Sequence, residues 1–419
     1  MPTPELLCPA GTLKNLRYAL AYGADAVYAG MPRYSLRVRE NDFDAENLAA
    51  GIAATRAAGR RFYLVANVLP HGAKLRTFLA DLAPLVALAP DALIMADPGL
   101  IALVRERWPT TSIHLSVQAN TTNAAAVRFW KTIGIRRVIL SRELSLEEIA
   151  EIRDECPDVE LEVFVHGALC IAYSGRCLLS GYLNHRDANQ GACTNACRWE
   201  YRVGTAPPED AATQHYFEET TRPGQFMPVF EDGQGTYLMN AKDLRAVDHV
   251  ARLVAIGVDS LKIEGRTKSA YYVARTAQVY RRAIDAAAAG EPFDPEWLAE
   301  LEGLSHRGYT DGFLQRHEPQ DLQNYQTGAS RSDRALFVAE VVGADPATGL
   351  AELAVKNKLA VGDEVEMIAP GGNRRLRIAT LEDLEGRPLR EAPGGGWRVR
   401  TPLPLAPADA GLALLARLL

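Results

Sequence analysis

Short apolar runs alternate with amphipathic stretches through the first two-thirds of the chain. The alternation predicts eight strands, at 5–8, 26–29, 61–68, 92–96, 113–117, 137–140, 161–165 and 260–263. Between them lie stretches of helical period such as 13–22 and 146–154. The second opens with Ser145 followed by Glu147 and Glu148, a helix cap with an acidic first turn. Repeated β–α units with near-continuous apolar strands predict a parallel sheet buried on both faces. Eight such strands predict a closed α/β structure, a (β/α)8 TIM-type barrel.

Two stretches break the pattern. Residues 168–258 form a long excursion between the seventh and eighth strands, with a further strand expected at 237–240, pairing with 199–203 outside the barrel. Within it, 205–235 is rich in Pro, Gly, Thr and acids and reads as a mobile surface loop. Beyond about 325–335 the helical period disappears. Short strands at 337–342, 350–354, 364–368, 375–379 and 397–399, separated by Gly-rich turns, predict a small all-β barrel. The expected division is a barrel domain at 1–330 and a C-terminal β-barrel module at 331–419.

Polar residues follow the strands at nearly every step: Asn67, Asp97, Gln118, Asn120, Arg142, Glu143, His166, Lys262, Glu264 and Arg266. Loops at the C-terminal face of such a barrel converge on one axis, so the set marks a candidate active site. Solvent at strand ends accounts for any one of them equally well.

Composition narrows the classes. Apolar residues make up 47% and charged residues 23%, as in an ordinary globular protein. No apolar run approaches the ~18 residues of a membrane span, and the N-terminus lacks a secretory signal, so a soluble cytoplasmic protein is expected. The formal charge of −6 provides no global attraction to nucleic acid, so RNA binding would need local basic patches. No phosphate loop or dinucleotide fingerprint is present.

Four of the six cysteines, Cys170, Cys177, Cys193 and Cys197, fall in the spacing C-x6-C-x15-C-x3-C. In a reducing compartment such a group binds metal rather than forming disulfides. Four thiolates suit a zinc ion or a 4Fe–4S cluster. Zinc sites favour tighter pairs than the first one here, which favours the cluster. Cys8 and Cys156 stand apart and read as buried structural thiols.

The run EVFVHGALCIAYSGRCLLSGYLNHRDANQGACTNACRWEY resembles the signature of the collagenase-like peptidase U-32 family. The opening PELLCPAGTLKNLRYALAYGADAVYAG and the later SLKIEGRTKSAYYVARTAQVYRRAI are similar to that family's barrel. The segments PRYSLRVRE, LSVQAN, SRELSL and VKNK resemble a branch of the family that acts on tRNA. The resemblance implies an oxygen-independent hydroxylation of the wobble uridine, position 34, to 5-hydroxyuridine, with prephenate as co-substrate. It implies that Cys170, Cys177, Cys193 and Cys197 ligate a 4Fe–4S cluster supplied by the iron–sulfur assembly machinery.

Prephenate carries two carboxylates, which suit arginine forks, and Arg142, Arg176 and Arg266 lie beside strand ends or the cysteines. Glu264 belongs to the same candidate site. His166 is a candidate acid or base, or a strand cap. Arg33, Arg37 and Arg39 beside Tyr34, and Arg374, Arg375 and Arg377 with Trp397, are candidate contacts for the anticodon region of tRNA.

Three rival readings stay open. One is a peptidase, although no H-E-x-x-H or G-x-S-x-G is present. Another is a non-catalytic RNA-binding protein with a structural metal. The third is hydroxylation of a ubiquinone precursor.

Overall fold

The computed structural model describes residues 3–35, 41–170, 172–188, 193–199, 201–205, 215–219, 226–229, 231–232, 235–236, 241–315 and 332–419. The eight expected strands form, as β1 (Glu5–Pro9), β2 (Ala26–Ala29), β3 (Arg61–Ala66), β4 (Ala92–Met95), β5 (Ile113–Leu115), β6 (Arg137–Ile139), β7 (Glu160–Ala168) and β8 (Ser260–Ile263). Each pairs in parallel with the next, and β8 pairs with both β7 and β1, so the sheet closes into a barrel. Leu6, Val27, Leu93, Leu115 and Leu261 are fully or almost fully buried, because helices cover the outer face of the sheet.

The local signals for the helices hold. In Leu146–Glu155 the Ser145 hydroxyl accepts from the Glu148 N–H at 3.2 Å, and the Glu148 carboxylate accepts from the Ser145 N–H at 2.8 Å. That reciprocal pair is a complete capping box.

Strand β7 runs past the barrel rim. Its last residues, His166–Ala168, pair antiparallel with Asp243–Arg245, which in turn pairs with Tyr309–Thr310. In the ladder between β7 and β8 the register shifts between Lys262 and Ile263. Such a bulge re-aims the side chains beyond it.

One expectation about the excursion changes. Within the stretch expected to be a mobile loop, His215–Glu219 and Phe226–Val229 are strands, forming with Tyr201–Thr205 a three-stranded antiparallel sheet. The strand expected at 237–240 lies outside the described residues, and so does its expected pairing. Polar, turn-rich composition concealed His215–Glu219 and Phe226–Val229 because alternation in short strands is a weak signal.

The C-terminal module is antiparallel, eight strands in one sheet with a two-stranded ribbon, Asn357–Ala360 with Glu391–Gly394. Its own core includes Val338, Leu353, Val365, Val399 and Leu415. The strand Leu414–Leu418 lies between Ala335–Asp345 and Glu364–Ile368, although the sequence pattern did not mark it. A short apolar run carries no period that separates strand from helix.

The module docks on barrel helices. Tyr22, at the end of Leu13–Ala21, donates to the carbonyls of Ile368 and Leu412, both at 2.9 Å. From the long helix Ala270–Ala289, buried Arg275 pairs with Glu366, and Gln278 donates to the Ala369 carbonyl at 3.1 Å. The rings of Tyr271 and Phe337 stack at 4.9 Å. Among the described residues no helix is long and apolar enough to cross a membrane.

Candidate active site

A row of charged side chains runs up the inside of the barrel. At the N-terminal end Glu5 accepts hydrogen bonds from Arg61, Tyr63, Arg137 and Ser260. Arg137 also reaches Glu160 at 2.8 Å and Glu162 at 3.2 Å. Fully buried Glu162 then accepts from Lys262 Nζ at 2.8 Å. Burial alone would lower the Arg137 pKa, but Glu5 and Glu162 overrule it and hold the guanidinium firmly charged. Burial lowers Lys262 below the usual lysine value, partly offset by Glu162. Lys262 lies 4.3 Å from the centre of the Tyr28 ring and 5.4 Å from that of Phe164.

Lys262, Tyr28 and Phe164 line a cavity of about 130 Å³ at the C-terminal mouth. The same cavity is lined by Cys170, Cys177, Cys193, Cys197, Arg142, Glu264 and Arg266. Residues as distant in sequence as Tyr28 and Arg266 meet there because strand ends converge on the barrel axis. Arg142 lies over the Phe164 ring, its guanidinium carbon 3.9 Å from the ring centre, and donates from Nη1 to the Ala168 carbonyl at 3.0 Å. Its buried Nε has no hydrogen-bond partner among the described residues. Arg266 donates to Ser35, and the Tyr28 hydroxyl donates to the Glu264 carboxylate at 3.3 Å. Gly167, at φ +113°, lets β7 pass against the Glu264 backbone. A Cβ there would lie 2.4 Å from the Glu264 carbonyl oxygen.

The four clustered cysteines form no disulfide, and neither do Cys8 and Cys156, which are buried elsewhere. Burial, with Cys170 and Cys193 nearby, raises the Cys177 thiol, while the backbone N–H groups of Leu179 and Ser180 favour its thiolate. The Asn195 N–H donates to Cys193 Sγ at 3.4 Å. Amides aimed at sulfur are what a thiolate-bound cluster requires of its surroundings. In number, chemistry and setting this donor set fits an iron–sulfur cluster. Among the described residues no group of three or more His, Cys, Asp or Glu converges on a point that one metal ion could occupy.

The other expected site residues fall elsewhere. His166 does not line the cavity. Alternation would aim it with Glu162 and Phe164, but beyond the register shift it packs among the rings of Tyr272, Tyr280 and Tyr309. Its Nδ1 lies 3.3 Å from the Tyr280 hydroxyl, and burial takes its pKa down to about 3. The structure thus places His166 as an enclosed imidazole outside the cavity, apart from the other expected site residues. Arg176 is exposed and does not line the cavity either, its Nη1 lying 3.5 Å from the adjacent Gly175 carbonyl.

Arg33 pairs with Asp81 at 3.3 Å and bonds Thr77, on an exposed surface beside Lys74. Arg37 and Arg39 lie outside the described residues. Arg374 and Arg375 are exposed on the edge strand Arg374–Arg377.

The sequence pattern missed Tyr28 in the wall, and it had Lys262 and Gln118 only as strand-end residues without an assigned role. Lys262 carried a readable signal, a lone charge inside an apolar strand, which has to face a partner or a site.

Comparison with known proteins follows the same architecture. Residues 11–324 match the model of peptidase family U32, and residues 333–414 match that of the peptidase family U32 C-terminal domain. The chain is 58% identical to "tRNA hydroxylation protein P" of Escherichia coli strain K12, over 99% of this chain and 96% of that protein. It is 57% identical to the protein of that name from Haemophilus influenzae, over 94% and 92%. It is 40% identical to the one from Helicobacter pylori strain J99, over 78% and 76%. This chain belongs to peptidase family U32.

Proposed function

We propose that this protein is a cytoplasmic tRNA-modifying enzyme that hydroxylates C5 of the wobble uridine, position 34, to give 5-hydroxyuridine. Cys170, Cys177, Cys193 and Cys197 hold a 4Fe–4S cluster, and prephenate is the co-substrate. One observation carries the reading: the four clustered cysteines share a barrel-mouth cavity with Arg142, Lys262, Arg266 and Glu264. The names of the relatives support tRNA hydroxylation as the reaction.

When bound, the cluster supplies the one-electron chemistry that side chains lack. The chain's own residues bind and orient. Arg142, stacked on Phe164 and held by one carbonyl, keeps donors available for a carboxylate of the co-substrate. Arg266 and Lys262 add positive charge to the same wall, and Glu264 provides an acceptor. Outside the cavity, Arg33 and the strand Arg374–Arg377 offer exposed positive charge to the RNA backbone. The peptidase reading gains no support from the wall: Ser174 lines it, but among the described residues no histidine does to serve as its base.

Anaerobic purification of wild type and Cys193→Ser, with iron and sulfide assays, tests the cofactor. Nucleoside analysis of tRNA from a deletion strain carrying either gene tests the reaction. The expected result is about four irons and four sulfides per chain in wild type only, with 5-hydroxyuridine restored by wild type only. Zinc in place of iron, or product restored by the variant, would overturn the assignment.

A further inference from the structure

The turn after β5 places an unused polar group in the cavity wall. Gln118 is 2% exposed and lines the cavity, and its Oε1 and Nε2 are both buried without a partner among the described residues. A buried carboxamide left unpaired at both ends forfeits hydrogen bonds it made to water. Native proteins keep such a group where something else completes it.

The surroundings hold this amide in place without satisfying it. Gln118 sits in the single turn Val117–Ala119, closed by Asn120 at φ 51°. Asn120 Nδ2 donates to the Gln118 carbonyl at 2.9 Å and to the Ser174 carbonyl at 3.1 Å, fastening this turn to the cysteine segment. Gly175 presses on the side chain from the other side: a Cβ there would lie 3.1 Å from Gln118 Nε2. Gln118 is therefore clamped between its own turn and the loop joining Cys170 to Cys177, with its polar end at the cavity.

We propose that Gln118 reads the imide edge of a uracil base turned into this cavity; the inference rests on the tRNA hydroxylation reading above. A uracil presents an N3–H donor beside the O4 acceptor. A carboxamide matches both, Oε1 accepting from N3–H and Nε2 donating to O4, in the bidentate manner by which amides read base edges. Pairing at N3 and O4 leaves the C5–C6 edge open for chemistry. Gln118 is thus a specificity residue, distinct from the thiols and from the cationic wall.

The test uses anticodon stem-loops with uridine or N3-methyluridine at the target position. Each is incubated anaerobically with prephenate and wild type, Gln118→Ala or Gln118→Glu, and 5-hydroxylated product is counted. Visible absorbance of each protein reports the cysteine segment.

Wild type should discriminate against N3-methyluridine. Gln118→Ala should lose about 10- to 100-fold on uridine, the range of one bidentate base contact. The N3-methyl penalty should largely vanish in that variant, as coupling between the two changes requires. Gln118→Glu, of the same shape but without a donor, should fail similarly at unchanged absorbance. The inference is overturned by Gln118→Ala matching wild type on uridine, or by an equal N3-methyl penalty in both proteins. Loss of absorbance in both variants would also overturn it, making Gln118 a support of the cysteine loop. No product from wild type on any stem-loop would overturn the proposed function, and this inference with it.

Discussion

Both mouths of the barrel are polar, but their polar groups are in opposite states. At the N-terminal mouth Glu5, Arg61, Arg137, Glu160 and Ser260 satisfy one another, and the chain of pairs continues inward through Glu162 to Lys262. At the C-terminal mouth the Gln118 amide, the Asn120 Oδ1 and the Arg142 Nε are buried without partners among the described residues, beside the four clustered cysteines. Buried charge is tolerable when paired, and paired charge has little left to offer a ligand. Saturation therefore marks the structural end of this barrel, and unsatisfied polarity marks the chemical end.

The strongest way to break that contrast is at the saturated end. Arg137→Met removes the cation shared by Glu5, Glu160 and Glu162. It should cost about 3–5 kcal/mol of unfolding free energy, read by urea denaturation, with iron per folded molecule unchanged. A loss under about 1 kcal/mol would show that the network is not what holds the barrel's interior together.

At the open end, Arg142→Met should act on chemistry instead. Loss of a charged hydrogen-bonding group facing a carboxylate corresponds to about 1.5–3 kcal/mol, or roughly 10- to 150-fold in kcat/KM for the anionic co-substrate. The melting temperature should move little, because Arg142 makes one carbonyl hydrogen bond and a ring contact. Arg142→Lys should recover only part of the loss, having the charge without the fork. Unchanged kinetics with a large drop in melting temperature would move Arg142 to the structural class.

His166 sharpens the comparison from outside the cavity. Burial holds its pKa at about 3, against an unfolded value near 6.5. As pH falls below about 6.5 the unfolded chain takes up a proton that the native state refuses. Stability should therefore decline between pH 6.5 and 3, by about 2 kcal/mol at pH 5 from this group. In His166→Asn the slope in that window should be shallower, measured against wild type because buried His114 is depressed in the same direction. Equal slopes would place the proton elsewhere.

The barrel was readable because its cause is local and repeated. Eight apolar runs and the stretches between them predicted strands that match to within a few residues at each end. The Ser145 cap was equally direct, since a capping box is closed within four residues. The strand Leu414–Leu418 and the small sheet of the excursion were not readable, because what makes them strands is a distant partner.

The candidate site divides along the same line. The cysteine spacing was visible in the chain, and so were Arg142, Glu264 and Arg266 as residues at strand ends. His166 looked identical to them in sequence, and one shifted register beside Lys262 separated it from the cavity. Gln118 was one polar residue among ten at strand ends. Only the tertiary structure shows its amide enclosed against Gly175 with both ends unpaired among the described residues.

The sequence by itself determined the periodicities, the caps and the kinds of donor available, because those depend on neighbours a few residues away. The tertiary structure alone decided which donors share a cavity, which charges cancel and which remain open. Those outcomes depend on contacts between residues such as Glu5 and Arg137, or Gln118 and Gly175, whose distances are set by closure of the whole barrel.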